Sequence, residues 1–185
     1  MKKRNVLVTC ADRYMGPAIS EKFSGEEFRL VRGQSPMTSE EDIHNLVLAA
    51  GSIDILIANF AEPQMSRPVS GIENEEWLLL FDNLVHPLMY LVRAVVPQML
   101  ERNAGKIIAI TSAAPLRGIP NNSAYCSARG AQNSFVKAVG LELARENIQV
   151  NAIAQNYIKN KTYYPDDFIS TEKFRDHVKR NVPNQ

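Results

Sequence analysis

The sequence is poor in cysteine, in net charge and in long apolar runs. Its 185 residues contain two cysteines, Cys10 and Cys126, and the acidic and basic residues nearly cancel to a formal net charge of +1. Two thiols are too few for a disulfide scaffold and are typical of a reducing compartment. Without a charge excess, neither nucleic acid nor an anionic membrane is an expected partner. No stretch approaches the ~18 consecutive apolar residues of a membrane span.

The start of the chain does not have the pattern of a secretory signal peptide. The basic residues at 2–4 are followed by a short apolar stretch, residues 6–8, which ends at Asp12 and Arg13. We therefore expect a cytoplasmic protein. A hydrophobic content of 45% excludes a disordered chain, and the length predicts one domain over residues 1–185.

Short apolar runs alternate with longer helical patterns, which is typical of a parallel α/β sheet. The predicted strands are residues 5–9, 28–31, 53–58, 106–111 and 149–153, and their apolar character predicts burial on both faces. The predicted helices are residues 15–23, 39–50, 75–102, 124–146 and 170–180. Ser39, with Asp42 three residues later, predicts the start of the second helix, and Pro97 is expected to limit or kink the third.

Three residues near the predicted carboxyl ends of strands can form a proton-transfer site. Ser112 follows the fourth strand, Tyr125 lies in the first turn of the next helix, and Arg129 is one turn further along. Since a guanidinium stabilises a phenolate, Arg129 can make Tyr125 a base, and Ser112 can position the oxygen that loses its proton. Taken singly, each feature is better explained as a turn serine or a surface Tyr–Arg pair.

The spacing from Ser112 to Tyr125-Cys126-Ser127-Ala128-Arg129 resembles the active-site signature of the short-chain dehydrogenase/reductase superfamily, with Arg129 in place of lysine. The resemblance runs from about residue 5 to residue 156 and includes the strand that ends at Asn59. It implies a Rossmann-like, doubly wound parallel sheet.

The loop after the first strand departs from the dinucleotide-binding pattern. A nicotinamide-binding member should have T-G-x-x-x-G-x-G, because glycine lets the backbone approach the pyrophosphate. Here residues 9–16 are TCADRYMG, so Cys10 and Tyr14 replace two glycines and only Gly16 remains. Tyr14 is expected to place its ring where the phosphates would lie. An outward-turned Tyr14 would still admit NAD or NADP, and Arg32 could then contact a 2′-phosphate or remain an ordinary surface residue.

The loss of these glycines together with the Ser-Tyr-Arg triad resembles the halohydrin dehalogenases, a branch that binds a halide in place of the nicotinamide. The resemblance implies a halide and substrate loop at about residues 154–170. It also implies a pocket formed by Tyr14, Gln155, Asn156, Tyr157, Ile158 and Tyr164. The expected substrate is a vicinal haloalcohol, which closes to an epoxide and releases halide and a proton, or the epoxide in the reverse reaction. No cofactor and no metal are expected, and the family pattern implies a homotetramer.

Two other interpretations remain open at this stage: an NAD(P)-dependent reductase with a degenerate glycine loop, and a non-enzymatic relative. The position of the superfamily's catalytic asparagine holds Leu84, with Asn83 one residue away. The three histidines, His44, His86 and His177, lack metal-ligand spacing and are interpreted as structural or surface residues.

The length suggests a sheet that is smaller than usual for this resemblance. Members of the superfamily run some tens of residues further, with a last strand and helix where this chain stops, and residues 33–38 leave little room for another βαβ unit. We therefore expect a C-terminally incomplete domain with an open edge strand and uncovered apolar surface.

Overall fold

A five-stranded parallel sheet forms the centre of the computed structural model, which describes residues 3–34, 37–158 and 164–182. The strands are Arg4–Val8 (β1), Phe28–Arg32 (β2), Ile55–Ala58 (β3), Gly105–Ser112 (β4) and Ile148–Gln155 (β5). Their order across the sheet is β2-β1-β3-β4-β5. All five predicted strands overlap these elements, and the α/β class is confirmed.

The helices pack on both faces of the sheet. They are Gly16–Lys22 (α1), Glu40–Ala50 (α2), Asn74–Leu84 (α3), His86–Glu101 (α4), Ala114–Arg117 (α5), Ser123–Leu143 (α6), Asp166–Ile169 (α7) and Glu172–Asn181 (α8). One core cluster joins α2, α4 and α6 to the sheet and includes Ile43, Leu91 and Val136. A second cluster lies on the opposite face, where Ile19 of α1 packs near Val6. The expectation of a doubly wound sheet is therefore confirmed.

The predicted start of the second helix is confirmed. Ser39 is the N-cap of α2, and its Oγ accepts a hydrogen bond of 3.0 Å from the backbone N–H of Asp42. The single helix predicted over residues 75–102 is instead divided at Val85 into α3 and α4. Pro87, which has no N–H to donate, sits in the first turn of α4. Pro97 lies inside α4, which continues for one more turn and ends at Glu101, so Pro97 does not itself end the helix.

The stretch from α3 to α4, Asn74–Glu101, is apolar and long enough to cross a membrane by length and composition alone. This was not expected from the count of consecutive apolar residues. Leu88, Leu91 and Val95 of α4 are completely or almost completely buried against the sheet and its neighbouring helices. Packing in the core therefore accounts for the apolar residues of α4, whereas Leu78 and Leu79 of α3 are exposed.

Burial differs between the middle and the edges of the sheet. Among the residues that the structure describes, β5 pairs with β4 alone, and Ile153 in β5 is 53% exposed. The prediction that every strand is buried on both faces is therefore wrong for β5 and also for β2, in which no residue is buried. The expected open edge strand is present at β5. The predicted short connection after β2 is also present, since α2 follows directly without another strand, although residues 35 and 36 lie outside the described residues.

Candidate active site

Tyr125 and Arg129 form a buried pair on one face of α6. The Nε of Arg129 donates to the Tyr125 hydroxyl at 3.1 Å, and the side chains of both residues are buried, with Arg129 only 1% exposed. The Nη1 of Arg129 also donates to the backbone carbonyl of Phe60, just after β3, at 3.0 Å. These bonds hold the positive charge against the phenol oxygen in a region of low dielectric, where such an interaction is strong.

Ser112 is the last residue of β4, at the carboxyl edge of the sheet. Its Oγ accepts a 3.1 Å hydrogen bond from the backbone N–H of Ala114, which leaves the hydroxyl proton available to donate to a bound oxygen. The backbone carbonyl of Ser112 accepts a 3.1 Å bond from the side-chain amide of Asn133 on α6. This contact fixes the end of β4 relative to the helix that carries Tyr125 and Arg129.

One cavity of about 200 Å³ is lined by all three residues of the predicted triad. Five of the six predicted pocket residues line it as well: Gln155, Asn156, Tyr157, Ile158 and Tyr164. Gln155 ends β5, pairs with Ser112 in the sheet register, and accepts the backbone N–H of Ala113 at 2.9 Å. The strand pairing thus places the segment after β5 directly beside the triad. Of the predicted loop 154–170, residues 159–163 lie outside the described residues.

Tyr164 adds a neutral phenol to this cavity. Burial raises the pKa of Tyr164 above its ordinary value, and the neighbouring Tyr157 and Tyr125 act in the same direction, while Arg117 opposes them. The rings of Tyr157 and Tyr164 meet edge to face, with centroids 5.8 Å apart. A phenol that stays protonated can donate its O–H, and ring edges carry partial positive charge, so this wall of the cavity suits an anion.

Tyr14 lies elsewhere, so the structure does not bring it together with the other predicted pocket residues. It lines a separate cavity of about 50 Å³ near the loop that joins β1 to α1, together with Cys10, Arg13 and Glu62. Burial is the main cause that raises the pKa values of both Tyr14 and Glu62, and Arg129 lowers that of Glu62. The positive charge of Arg129 therefore acts on groups in both cavities, Tyr125 in the larger one and Glu62 in the smaller one.

The loop around Tyr14 retains the backbone of a glycine-rich turn. Cys10 and Tyr14 have φ values of 43° and 55°, in the left-handed region that favours glycine. A Cβ on Gly16 would lie 2.2 Å from the backbone oxygen of Cys10, so this position requires glycine. Asn59 ties the loop to the end of β3, because its side-chain amide donates to the carbonyls of Cys10 and Arg13 at 3.1 and 3.3 Å.

Sequence reasoning missed several residues of the cavity that Ser112, Tyr125 and Arg129 line. Arg117 at the end of α5, His177 on α8 and Gln64 in the loop after β3 all line it. The Tyr157 hydroxyl shares a hydrogen bond of 2.6 Å with His177 and accepts one of 3.3 Å from Arg117. His177 is exposed and hydrogen-bonded, which agrees with its interpretation as a structural or surface residue, and it also lines this cavity, which was not predicted. No spacing signal marks these residues, because they reach the cavity only through the folding of α5, α7 and α8.

Gln132 was also missed, although the helical spacing could have found it. It lies three residues after Arg129 and seven after Tyr125, on the same face of α6, and its Oε1 accepts from Nη1 of Arg129 at 2.8 Å. Leu84, at the position of the superfamily's asparagine, is fully buried, and Asn83 lines the smaller cavity. Within the three described ranges, no group of His, Cys, Asp and Glu side chains could hold a metal ion.

Comparison with curated proteins finds relatives among reductases. The chain is 32% identical over 123 residues to "Dehydrogenase/reductase SDR family member 4" of Bos taurus, an alignment that covers 64% of this chain and 44% of that protein. The chain spans about half the length of the curated relatives it matches.

Solved structures with the same fold include enzymes of dehalogenation. A structure described as "Dehalogenation enzyme" superposes with a TM-score of 0.87 at 24% identity and covers 98% of this chain and 84% of its own, a likeness of fold. A halohydrin dehalogenase bound to ethyl (2S)-oxiran-2-ylacetate superposes with a TM-score of 0.77 at 26% identity, covering 94% of this chain and 80% of its own. The sequence profile of the short chain dehydrogenase family matches residues 5–163, and the chain therefore belongs to that family.

Proposed function

We propose that this chain is a halohydrin dehalogenase-like lyase that converts vicinal haloalcohols to epoxides without a nicotinamide cofactor. The observation that carries the proposal is that side chains replace glycine in the loop between β1 and α1. Tyr14 occupies a glycine position in a left-handed conformation and lines a cavity of only about 50 Å³. The coarser conclusion, an enzyme of the short chain dehydrogenase family, rests on the family match.

The residues of this loop do not fit a dinucleotide. A pyrophosphate needs backbone N–H groups that it can approach closely, and it needs space free of side chains. Here the Cβ atoms of Cys10 and Tyr14 stand at the two positions that should be open, and the carboxyl of Glu62 lines the same small cavity. A carboxylate would also repel a phosphate. No step of the proposed reaction is therefore assigned to a cofactor.

Proton removal is the first task of the triad. The substrate hydroxyl would accept the Ser112 O–H and donate to the Tyr125 oxygen, and both groups face the same cavity. The Nε–H of Arg129, 3.1 Å from the Tyr125 oxygen, stabilises the phenolate that acts as base. The proton moves to Tyr125, and the substrate oxygen attacks the adjacent carbon as the carbon–halogen bond breaks. The products are an epoxide, a halide ion and the proton, which Tyr125 returns to solvent.

The halide would leave toward the wall formed by Asn156, Tyr157 and Tyr164. This wall offers an amide side chain, ring edges and a phenol that stays protonated, and Arg117 places a cation near the Tyr157 ring, 5.9 Å from its centroid. Such donors hold a weakly hydrated anion without a full countercharge. Alignment of the attacking oxygen opposite the leaving halide, combined with this stabilisation, supplies the catalytic effect. The dehalogenase relative of 26% identity with its bound oxirane supports this assignment.

A second candidate is an NAD(P)-dependent reductase, which the comparisons favour through the curated relatives named as reductases. Arg32, exposed at the end of β2, would be the cation that meets a 2′-phosphate in such an enzyme. In that reaction Ser112 and Tyr125 would hold the oxygen of a carbonyl substrate. The two candidates differ in one observable, the need for NADH or NADPH.

The experiment that separates them measures halide and cofactor in parallel. The purified chain is incubated with a simple chlorohydrin and a bromohydrin, and the release of halide and of acid is recorded, with Tyr125→Phe as the control. NADH and NADPH are titrated into the same protein by fluorescence. Halide release that is lost in the control, without saturable cofactor binding, supports the dehalogenase. Saturable NADPH binding with no halide release supports the reductase.

A further inference from the structure

Gln132 links the catalytic pair on α6 to the end of α3. Its side chain is 1% exposed, and each end of its amide has one partner. The Oε1 accepts from Nη1 of Arg129 at 2.8 Å, and the Nε2 donates to the backbone carbonyl of Leu84 at 2.7 Å. The amide therefore cannot turn over without losing both bonds, so its orientation is fixed.

At the end of α3, Gln132 donates to the backbone carbonyl of Leu84, which has no hydrogen-bond donor within its own helix. Leu84 is the last residue of α3, and the carbonyls in the last turn of a helix lack intrahelical partners. The helix is interrupted at Val85, and Pro87, three residues after Leu84, has no N–H to donate. Gln132 supplies a donor to the Leu84 carbonyl, and this hydrogen bond connects α6 to the end of α3 beside the site.

The three groups that accept hydrogen bonds from the guanidinium of Arg129 in the described part of the chain are neutral, although its charge also acts on the Glu62 carboxyl in the neighbouring cavity. They are the Tyr125 hydroxyl, the Phe60 carbonyl and the Gln132 amide. A carboxylate at position 132 would satisfy the same N–H and also cancel the charge that acts on Tyr125. A glutamine orients the guanidinium and leaves its charge intact.

We propose that Gln132 is a positioning residue that fixes Arg129 against the Tyr125 hydroxyl and so makes Tyr125 an effective base. The kinetic part of this inference rests on the proposed function. Its spectroscopic part does not, because it reports the ionisation of Tyr125 directly.

The test compares Gln132→Met with Gln98→Met. Methionine keeps the length of glutamine and removes its hydrogen bonds. Gln98 is a matched control: it accepts the backbone N–H of Ile53 and donates to the carbonyl of Gly51, far from the cavity. In each background, subtracting the Tyr125→Phe protein isolates the ultraviolet signal of the Tyr125 phenolate as the pH is raised. Gln132→Glu, which keeps the acceptor for Arg129, serves if the methionine variant does not fold.

We expect Gln132→Met and Gln132→Glu to require a higher pH for the same phenolate signal, with the Gln98→Met titration unchanged. With a haloalcohol, kcat of Gln132→Met should fall about 10- to 100-fold with little change in KM, the cost of a slightly misplaced group. A wild-type titration curve in the Gln132 variants overturns the proposal. If the phenolate signal moves but wild-type protein releases no halide, the positioning role stands and the dehalogenase assignment fails.

Discussion

Cys10 and Tyr14 share a left-handed backbone conformation in the loop between β1 and α1, with φ values of 43° and 55°. They stand at the first two of the three positions where the dinucleotide-binding pattern has glycine, and Gly16 occupies the third. The loop therefore has the backbone conformation of a glycine turn, but neither of its two left-handed positions has the glycine that would adopt this conformation without strain. Each side chain in this region costs about 1–2 kcal/mol relative to glycine.

The first prediction concerns this strain. Cys10→Gly should unfold with a free energy about 1 kcal/mol higher than Cys10→Ala, because both variants lose the sulfur and only glycine relieves the left-handed backbone. Chemical denaturation of the two proteins measures the difference. At a position with an ordinary backbone conformation, alanine stabilises a protein more than glycine does. A higher free energy of unfolding for Cys10→Ala than for Cys10→Gly would therefore contradict the left-handed conformation of residue 10.

The second prediction concerns Gly16, where the pattern's glycine is present and where the neighbouring backbone leaves no room for a side chain. A Cβ there would lie 2.2 Å from the Cys10 oxygen and 2.7 Å from the Cα of Ala11, both backbone atoms that cannot move aside cheaply. Gly16→Ala should therefore destabilise the protein by about 1–3 kcal/mol. Gly25→Ala, where a Cβ meets only the Glu27 side chain at 4.0 Å, is the control for a general glycine effect in thermal unfolding.

Tyr125→Phe tests the identity of the base. The phenol oxygen has Arg129 as its donor and lines the catalytic cavity, so its removal should lower halide release by about 10²- to 10⁴-fold. The ring remains to fill its buried site, and we expect the circular dichroism spectrum to be unchanged. Tyr90→Phe, which alters a tyrosine on α4 that contacts His86 and Arg93, is the matched control and should retain activity. Activity retained in Tyr125→Phe would place the base elsewhere.

The strands and the triad could be predicted because their signals are local. Uniform apolar runs encode strands between helical layers, and the spacing from Tyr125 to Arg129 places both side chains on one helical face. The division of the long helix at Val85 was missed because a proline in the first turn of a helix and a proline that breaks one have the same composition signal. Only the packing of α3 and α4 distinguishes the two.

The placement of pocket residues depended on contacts between distant segments. Residues 155–158 line the cavity as expected because they lie at and directly after the end of β5, whose register beside β4 is determined by the sheet. Their role in halide binding stays a prediction. Tyr14 was assigned to the same pocket, although it faces a separate cavity, because spacing carries no information about which way a loop side chain turns. Arg117 and His177 arrive from α5 and α8, and no sequence pattern connects them to Ser112.

Tyr164→Phe tests the anion-binding wall. Loss of the phenol O–H should weaken bromide binding by about tenfold, since a hydrogen bond to a charged group contributes about 1.5 kcal/mol or more. Product inhibition of dehalogenation by added bromide gives the binding constant. The ring packing of Tyr164 on Tyr157 and Phe174 is kept by phenylalanine, so folding should be unaffected. An unchanged inhibition constant would remove Tyr164 from the halide site.

Glu62→Gln is predicted to change how stability depends on pH. Burial raises the pKa of Glu62 in the folded chain, and the opposing effects of Arg13 and Arg129 do not cancel it. A carboxyl with a raised folded pKa binds its proton more tightly in the folded state, so its contribution to stability is fully present below the unfolded value of about 4.3 and is lost as the pH rises through the folded value. Glutamine stays neutral and avoids this loss. The melting temperature of Glu62→Gln, minus that of wild type, should therefore increase from pH 4 to pH 7, and Glu73→Gln, at an exposed partner of Arg67, should show no such increase. A difference that falls with rising pH would mean that Glu62 is stabilised as a carboxylate by Arg13 and Arg129, and that the small cavity favours rather than opposes negative charge.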